Sequence, residues 1–178
     1  MVANQQIMSN IVLVGMRGSG KSTVGKLLAE KLGKTFVETD ALIVQKAGKS
    51  IPEIVSEKGW DYFRDLESEA IREVSRGDNE VISTGGGAIL RPENVAALKR
   101  NGMLVYLRAS LETLRIRIAG NTDRPSLTGT KNAIDEMEEI LLKRSPIYES
   151  TADIVIDTDT IDPESIATIV IEKMSRNL

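Results

Sequence analysis

The stretch Gly15-Met16-Arg17-Gly18-Ser19-Gly20-Lys21-Ser22-Thr23 has the residue types and spacing of a phosphate-binding loop, since Gly-x-x-x-x-Gly-Lys-Ser follows the apolar run Ile11-Val12-Leu13-Val14 and opens a helical pattern. Gly18 and Gly20 let the backbone wrap, so that N–H groups from Gly18, Ser19, Gly20, Lys21, Ser22 and Thr23 can converge on a polyphosphate at the positive end of the following helix. Lys21 would reach the β- and γ-phosphates of a nucleoside triphosphate, and Ser22 would offer its hydroxyl to Mg²⁺. On such a loop Lys21 is expected to be solvent-accessible, so that its removal spares the fold.

Two carboxylates stand in the next place where chemistry is possible. Glu38 and Asp40 lie two apart at a predicted strand end, so their side chains can project to one side. One can hold a water on Mg²⁺ while the other faces an acceptor hydroxyl and takes its proton; the plain alternative is two solvated acids. The third predicted strand ends in Ser83-Thr84 without an aspartate, which shifts the metal-helping role to Glu38 or Asp40. Gly85, Gly86 and Gly87 either bring backbone N–H groups close to a small ligand or form a flexible turn. Arg64 sits beside Phe63 but off the apolar face of its helix, and Arg144 is read as ending a helix before Pro146; either is a ligand cation or a solvated one. Arg124, in Asn121-Thr-Asp-Arg-Pro, could cap a phosphoryl group when its loop closes, or be a loop charge in water. With no histidine in the chain, acid–base work falls to carboxylates.

The elements that must hold these residues follow from periodicity. Predicted strands at 10–15, 35–39, 81–84, 104–107 and 154–156 alternate with helices at 21–32, 40–48, 51–75, 93–101, 111–118, 133–144 and from Pro163 onward. Ser50 with Glu53 reads as a capping box, Gly59 as a break, and Gly33 and Gly102 as helix stops. The pattern is that of an α/β fold, a five-stranded parallel sheet with helices on both faces, in which ligands gather beyond the C-terminal strand ends. The phosphate loop, Glu38 with Asp40, the glycine run and the polar stretch 121–124 all fall there. The 178 residues are read as one domain, with a helical segment at about 40–76 and a lid at about 120–131.

A net charge of −3, with one Trp, three Tyr and two Phe, argues against a nucleic-acid surface. The absence of cysteine, of a basic n-region with an apolar core, and of an apolar run near 20 residues leads to the expectation of a cytoplasmic protein with no membrane partner.

Taken together, Gly15–Thr23, Glu-Thr-Asp at 38–40, Phe63-Arg64, Thr-Gly-Gly-Gly at 84–87, Asn-Thr-x-Arg-Pro at 121–125 and Lys-Arg-x-Pro-x-Tyr at 143–148 resemble the shikimate kinase family. The resemblance implies the P-loop NTPase architecture of nucleoside-monophosphate-kinase type, with ATP and Mg²⁺ as cofactors and transfer of a phosphoryl group to the 3-hydroxyl of shikimate in aromatic amino-acid biosynthesis. It implies that Asp40 holds the shikimate hydroxyls and serves as base, that Arg64 and Arg144 grip the carboxylate, and that Gly86 adds a backbone contact. It places Arg124 against the γ-phosphate, Arg117 and Pro163 beside the adenine, and Ser22 with Glu38 at the metal. A monomer is expected. The family usually has Asp where Glu38 stands, and the longer side chain is expected still to reach a metal-bound water. The rival readings are another small-metabolite kinase of gluconate-kinase type and a non-catalytic nucleotide-binding relative; a GTPase is disfavoured because Asp-x-x-Gly and Asn-Lys-x-Asp are both missing.

Overall fold

The computed structural model describes residues 9–119 and 136–176. Strand β1 (Asn10–Val14) runs into the phosphate loop and α1 (Lys21–Leu32). β2 (Thr35–Glu38) passes directly into α2 (Thr39–Ala47), followed by α3 (Ile51–Val74). β3 (Glu80–Ser83) leads through the glycine run and a 3-10 turn at Ala88–Leu90 to α4 (Pro92–Lys99). β4 (Gly102–Arg108), α5 (Leu111–Ile118), α6 (Glu136–Thr151), β5 (Ile154–Asp157) and α7 (Pro163–Arg176) follow.

All strand pairs are parallel and form one sheet in the order β2-β3-β1-β4-β5. Because side chains alternate along a strand, Ile11 and Leu13 of β1 meet α1 and α7 through Val24, Leu28, Ala167 and Val170, whereas Val12 and Val14 face the other layer. That second layer contains Ile71 and Val74 of α3, Leu98 of α4, Leu114 of α5 and Tyr148 of α6. Both sheet faces are therefore apolar, as a covered parallel sheet requires. A smaller cluster of Ile43, Ile51, Ile54, Phe63 and Ala70 holds α2 against α3. Ser50 closes the expected capping box with Glu53, and Gly59 breaks α3 at φ 82°, ψ 172°. Among the described residues no helix is long and apolar enough to cross a membrane.

Three elements differ from the sequence reading. Thr39, read as the last residue of a strand, opens α2 instead: β2 stops at Glu38, and the Thr39 hydroxyl is engaged at the end of β3 while the chain turns helical at once, with Asp40 on the helix expected to begin there. Gly102 opens β4 rather than closing a helix, pairing beside Asn10. The helix expected to finish before Pro146 continues through it to Thr151. Proline removes one backbone donor there, aimed at the carbonyl of Leu142, whose side chain is 70% exposed, so water can satisfy the group left over. The lid expected at 120–131 and the first residues of the helix expected at 133–144 lie outside the described residues.

Gly102 sits where a Cβ would fall 2.7 Å from the backbone oxygen of Leu98 and 2.8 Å from Val12 Cγ2. A backbone oxygen cannot swing aside as a side chain can. Gly102→Ala is expected to lower unfolding stability by about 1–3 kcal/mol, the usual cost of overpacking, measured as a shift of the urea midpoint at unchanged m-value; an unshifted midpoint would contradict the packing described.

Candidate active site

The phosphate loop owes its shape to two features. Gly18 and Gly20 take φ of 83° and 97°, a region that side chains resist, and Gly20 caps α1 in the left-handed conformation. Lys21, only 8% exposed, donates from Nζ to the carbonyls of Gly15 and Met16 at 2.8 Å each. Its ammonium thus braces the loop from within, which corrects the expectation of a solvent-accessible lysine: removing it would alter loop shape as well as charge. The Ser19 hydroxyl is buried in the same loop and has no hydrogen-bond partner among the described residues, a polar group that an anion would satisfy. Ser22 Oγ donates to Glu38 Oε1.

Two cavities meet at this loop. The larger is bounded by Gly18 to Thr23, Glu38, Asp40, Gly85, Arg117 and Pro163. Arg117 closes its far side by donating to the carbonyls of Gly18 at 3.3 Å and Thr158 at 2.8 Å. The smaller has walls of Trp60, Phe63, Met137 and Ile140, with Arg64 and Arg144 among its cations and Glu67 and Glu136 as its acids. Arg17 and Gly86 line both. Asp40 and Gly85 thus belong to the phosphate side, and Arg64, Arg144 and Gly87 to the other.

The glycine run is the meeting place of these charges. A Cβ on Gly85 would lie 2.6 Å from Glu67 Oε1 and 2.8 Å from Asp40 Oδ1; one on Gly86 would lie 3.3 Å from Arg144 Nη1; one on Gly87 would overlap the Arg64 guanidinium. The Gly85 N–H is held by Thr39 Oγ1 at 3.2 Å, and the Gly86 carbonyl accepts from the Tyr148 hydroxyl at 2.5 Å. Arg64 is fixed by Glu67, three residues on in α3, with Nη1 to Oε2 at 3.0 Å, and its guanidinium lies 5.6 Å from the Trp60 ring centre and 5.7 Å from that of Phe63. Burial holds Arg144 below the usual arginine range, with its hydrogen-bonded neighbour Tyr148 countering in part. The Tyr148 hydroxyl, fully buried and stacked on Tyr106 at 4.8 Å, is pushed up to about 12, first by burial.

The arrangement suits a phosphoryl donor in the larger cavity and a small anionic acceptor in the smaller one, meeting at Arg17 and Gly86. Arg124 lies outside the described residues. Glu67, Thr39 and Tyr148 belong to the site without having been given roles from the sequence. The i, i+3 spacing of Arg64 with Glu67 and the i, i+4 spacing of Arg144 with Tyr148 were the available signals.

Comparison with known proteins places the chain in context. The family model described as shikimate kinase matches residues 17–175. The chain is 43% identical over 169 residues to the shikimate kinase of Thermodesulfovibrio yellowstonii, covering 95% of this chain and 96% of that one. It is 46% identical over 167 residues to shikimate kinase 2 of Photorhabdus laumondii, covering 92% and 94%. The solved shikimate kinase of Acinetobacter baumannii in complex with shikimate superposes with a TM-score of 0.90 at 34% identity, covering 97% of this chain and 96% of that one.

Glu67 supplies a pH test of the site as built. It is 1% exposed, and burial raises its pKa above the ordinary 4.5, a rise that Arg64 first, then Arg144 and Arg91, oppose. A raised folded-state pKa means that the native state holds the proton more tightly. The stabilising contribution is therefore full below the unfolded value and is lost as pH rises towards the folded one. Unfolding free energies of wild type and Glu67→Gln, compared from pH 4 upward, are expected to show a decline with pH in the wild type that the variant lacks; parallel profiles would contradict the burial of an ionising Glu67.

Proposed function

This chain belongs to the shikimate kinase family, and on that premise we infer that it phosphorylates the 3-hydroxyl of shikimate with ATP, giving shikimate 3-phosphate and ADP. The observation that carries this reading is the pair Arg64 and Arg144, which close on neighbouring glycines inside one small, aromatic-walled cavity that opens onto a phosphate loop. Two guanidinium groups on one carboxylate give a forked, charge-assisted grip that neutral polyols cannot use. That pairing sets aside the non-catalytic reading too, since it serves an acceptor rather than a nucleotide.

In this reading the triphosphate of ATP lies along the loop, with Ser19 Oγ and the backbone N–H groups as donors and Lys21 beside the β- and γ-phosphates. Arg117 and Pro163 border the base. Ser22 and Glu38 fit Mg²⁺: they present a hydroxyl and a carboxylate already in contact on the phosphate side. Among the described residues no cluster of three or more potential metal ligands occurs, as expected for an ion held mainly by phosphates, waters and one or two protein oxygens. Mg²⁺, when bound, supplies positive charge to the phosphate oxygens. The extra methylene of Glu38, relative to the family's usual aspartate, is taken up in its contact with Ser22. Asp40, at the phosphate-side edge of Gly85, orients the reacting hydroxyl and receives its proton, while Gly86 offers its backbone to the ring. Arg124 is assigned to the γ-phosphate from its sequence motif alone.

The carboxylate grip sets the test. Each charge-assisted hydrogen bond lost from a partly desolvated pair costs roughly 1.5–3 kcal/mol, so Arg64→Lys and Arg144→Lys are each expected to raise KM for shikimate by about tenfold or more, with KM for ATP changed less than about twofold. The wild type should prefer shikimate over its neutral carboxamide, and both variants should lose much of that preference. A wild type indifferent to the carboxylate, or variants with unchanged KM, would overturn the substrate assignment while leaving a kinase in place.

A further inference from the structure

Arg17 is not explained by the phosphate loop that contains it. The loop's turns are made by glycines and its brace by Lys21, yet Arg17 occupies the wall shared by the two cavities. Its backbone nitrogen lies against Gly86, where an added Cβ would come within 3.6 Å of it. The guanidinium is half-buried, and among the described residues no acid pairs with it and no acceptor takes its hydrogen bonds. The other half-buried arginines among the described residues are provided for: Arg64, Arg91, Arg108 and Arg115 each have a carboxylate, and Arg144 has Tyr148. Burial holds Arg17 below the usual arginine range with nothing to oppose the shift.

A partly desolvated cation without a counter-charge is costly unless an anion arrives to meet it. Two anions come within reach of this wall. The carboxylate of the acceptor already has Arg64 and Arg144 in the smaller cavity. The other is the phosphoryl group, which must cross from the larger cavity to the smaller at the residues that both share. We propose that Arg17 is a catalytic residue, donating hydrogen bonds to the phosphoryl group as it passes between the cavities and to the same group once it is on the product.

This rests on the shikimate kinase reading. The oxygen of the shikimate 3-hydroxyl bonds to the γ-phosphorus, the bond from that phosphorus to the β,γ-bridging oxygen breaks, its electron pair leaves with ADP, and the hydroxyl proton passes to Asp40. Through that exchange the equatorial oxygens of the phosphoryl group are the atoms facing Arg17. A contact made to them, and not to the resting alcohol, acts on turnover and on product affinity rather than on acceptor binding.

Trp60, the sole tryptophan of the chain, lines the acceptor cavity and supplies the signal for a test. Shikimate and shikimate 3-phosphate are titrated separately into wild type, Arg17→Met and Arg17→Lys, and steady-state kinetics are measured on the same preparations. The expected result for Arg17→Met is a Kd for shikimate 3-phosphate raised at least about tenfold with the Kd for shikimate changed less than about twofold, alongside a kcat reduced about 10- to 100-fold at similar KM values. Arg17→Lys, which keeps the charge without the fork, should fall between the two. Retained shikimate binding is itself the control that each variant is folded. Equal weakening of both ligands would overturn the proposal in favour of a carboxylate contact, and unchanged affinities and kcat would overturn it in favour of a purely structural loop residue. A wild type that binds neither ligand would instead overturn the shikimate reading on which it rests.

Discussion

Charged side chains crowd onto Gly85, Gly86 and Gly87, and that crowding organises the site. Carboxylates from α2 and α3 approach Gly85, the arginine of α6 approaches Gly86 and that of α3 approaches Gly87, the first and last closer than 3.0 Å to where a Cβ would stand and the second at 3.3 Å. Three helices separated in sequence by as many as a hundred residues are thereby drawn onto the end of one central strand. The entropy that these glycines cost is offset because a side chain at Gly85 or Gly87 would have to displace the carboxylates or the guanidinium beside it. The thrust is countered from the flanks: Thr39 holds the Gly85 N–H, Tyr148 holds the Gly86 carbonyl, and Ala88 begins a 3-10 turn that fixes the exit of the run.

Charge crowded this closely must be balanced or it would repel. Arg64 and Arg144 both line the small cavity, where Arg64 is ion-paired to the buried Glu67 and Glu136 is a second buried acid. With Arg17 on the common wall, three arginines stand against these two carboxylates, which leaves the cavity with a net need for negative charge. The acceptor side is thus cationic at its back and apolar at its walls, a combination that favours a compact anion with a hydrocarbon ring over a chain of hydroxyls.

How much of this the sequence made legible follows from which interactions are local. The sheet, its strands and the caps at Gly33 and Ser50 depend on periods of two and 3.6 and on residues within four of each other, and they stand where the pattern put them. The phosphate loop is local too. Lys21 was legible as a residue type but not as a brace, because its contacts to Gly15 and Met16 depend on how the loop folds back. Thr39 was placed at the end of a strand because nothing local shows that its hydroxyl reaches residues 83 and 85, where the chain turns into the helix that carries Asp40. Gly102 looked like a helix stop because the crowding that demands a glycine comes from Val12 and the Leu98 carbonyl, partners that a one-dimensional pattern does not show as neighbours.

Pro146 shows how a local rule gives way where the site depends on it. Proline predicts an end to helix, and ending there would have released Tyr148 from the turn that carries Arg144. In the fold the helix continues, Arg144 and Tyr148 lie one turn apart, and both address Gly86 from the same side. The backbone hydrogen bond forfeited at Pro146 faces the exposed side of α6, with Ser145 Oγ donating to the Leu141 carbonyl at 2.7 Å beside it. Against a loss of that kind stand the stacking of Tyr148 on Tyr106 and the hydrogen bond from its buried hydroxyl. The helix persists because its C-terminal turn is held by tertiary contacts rather than by its own backbone, and those contacts fix the peptide on which the acceptor cavity closes.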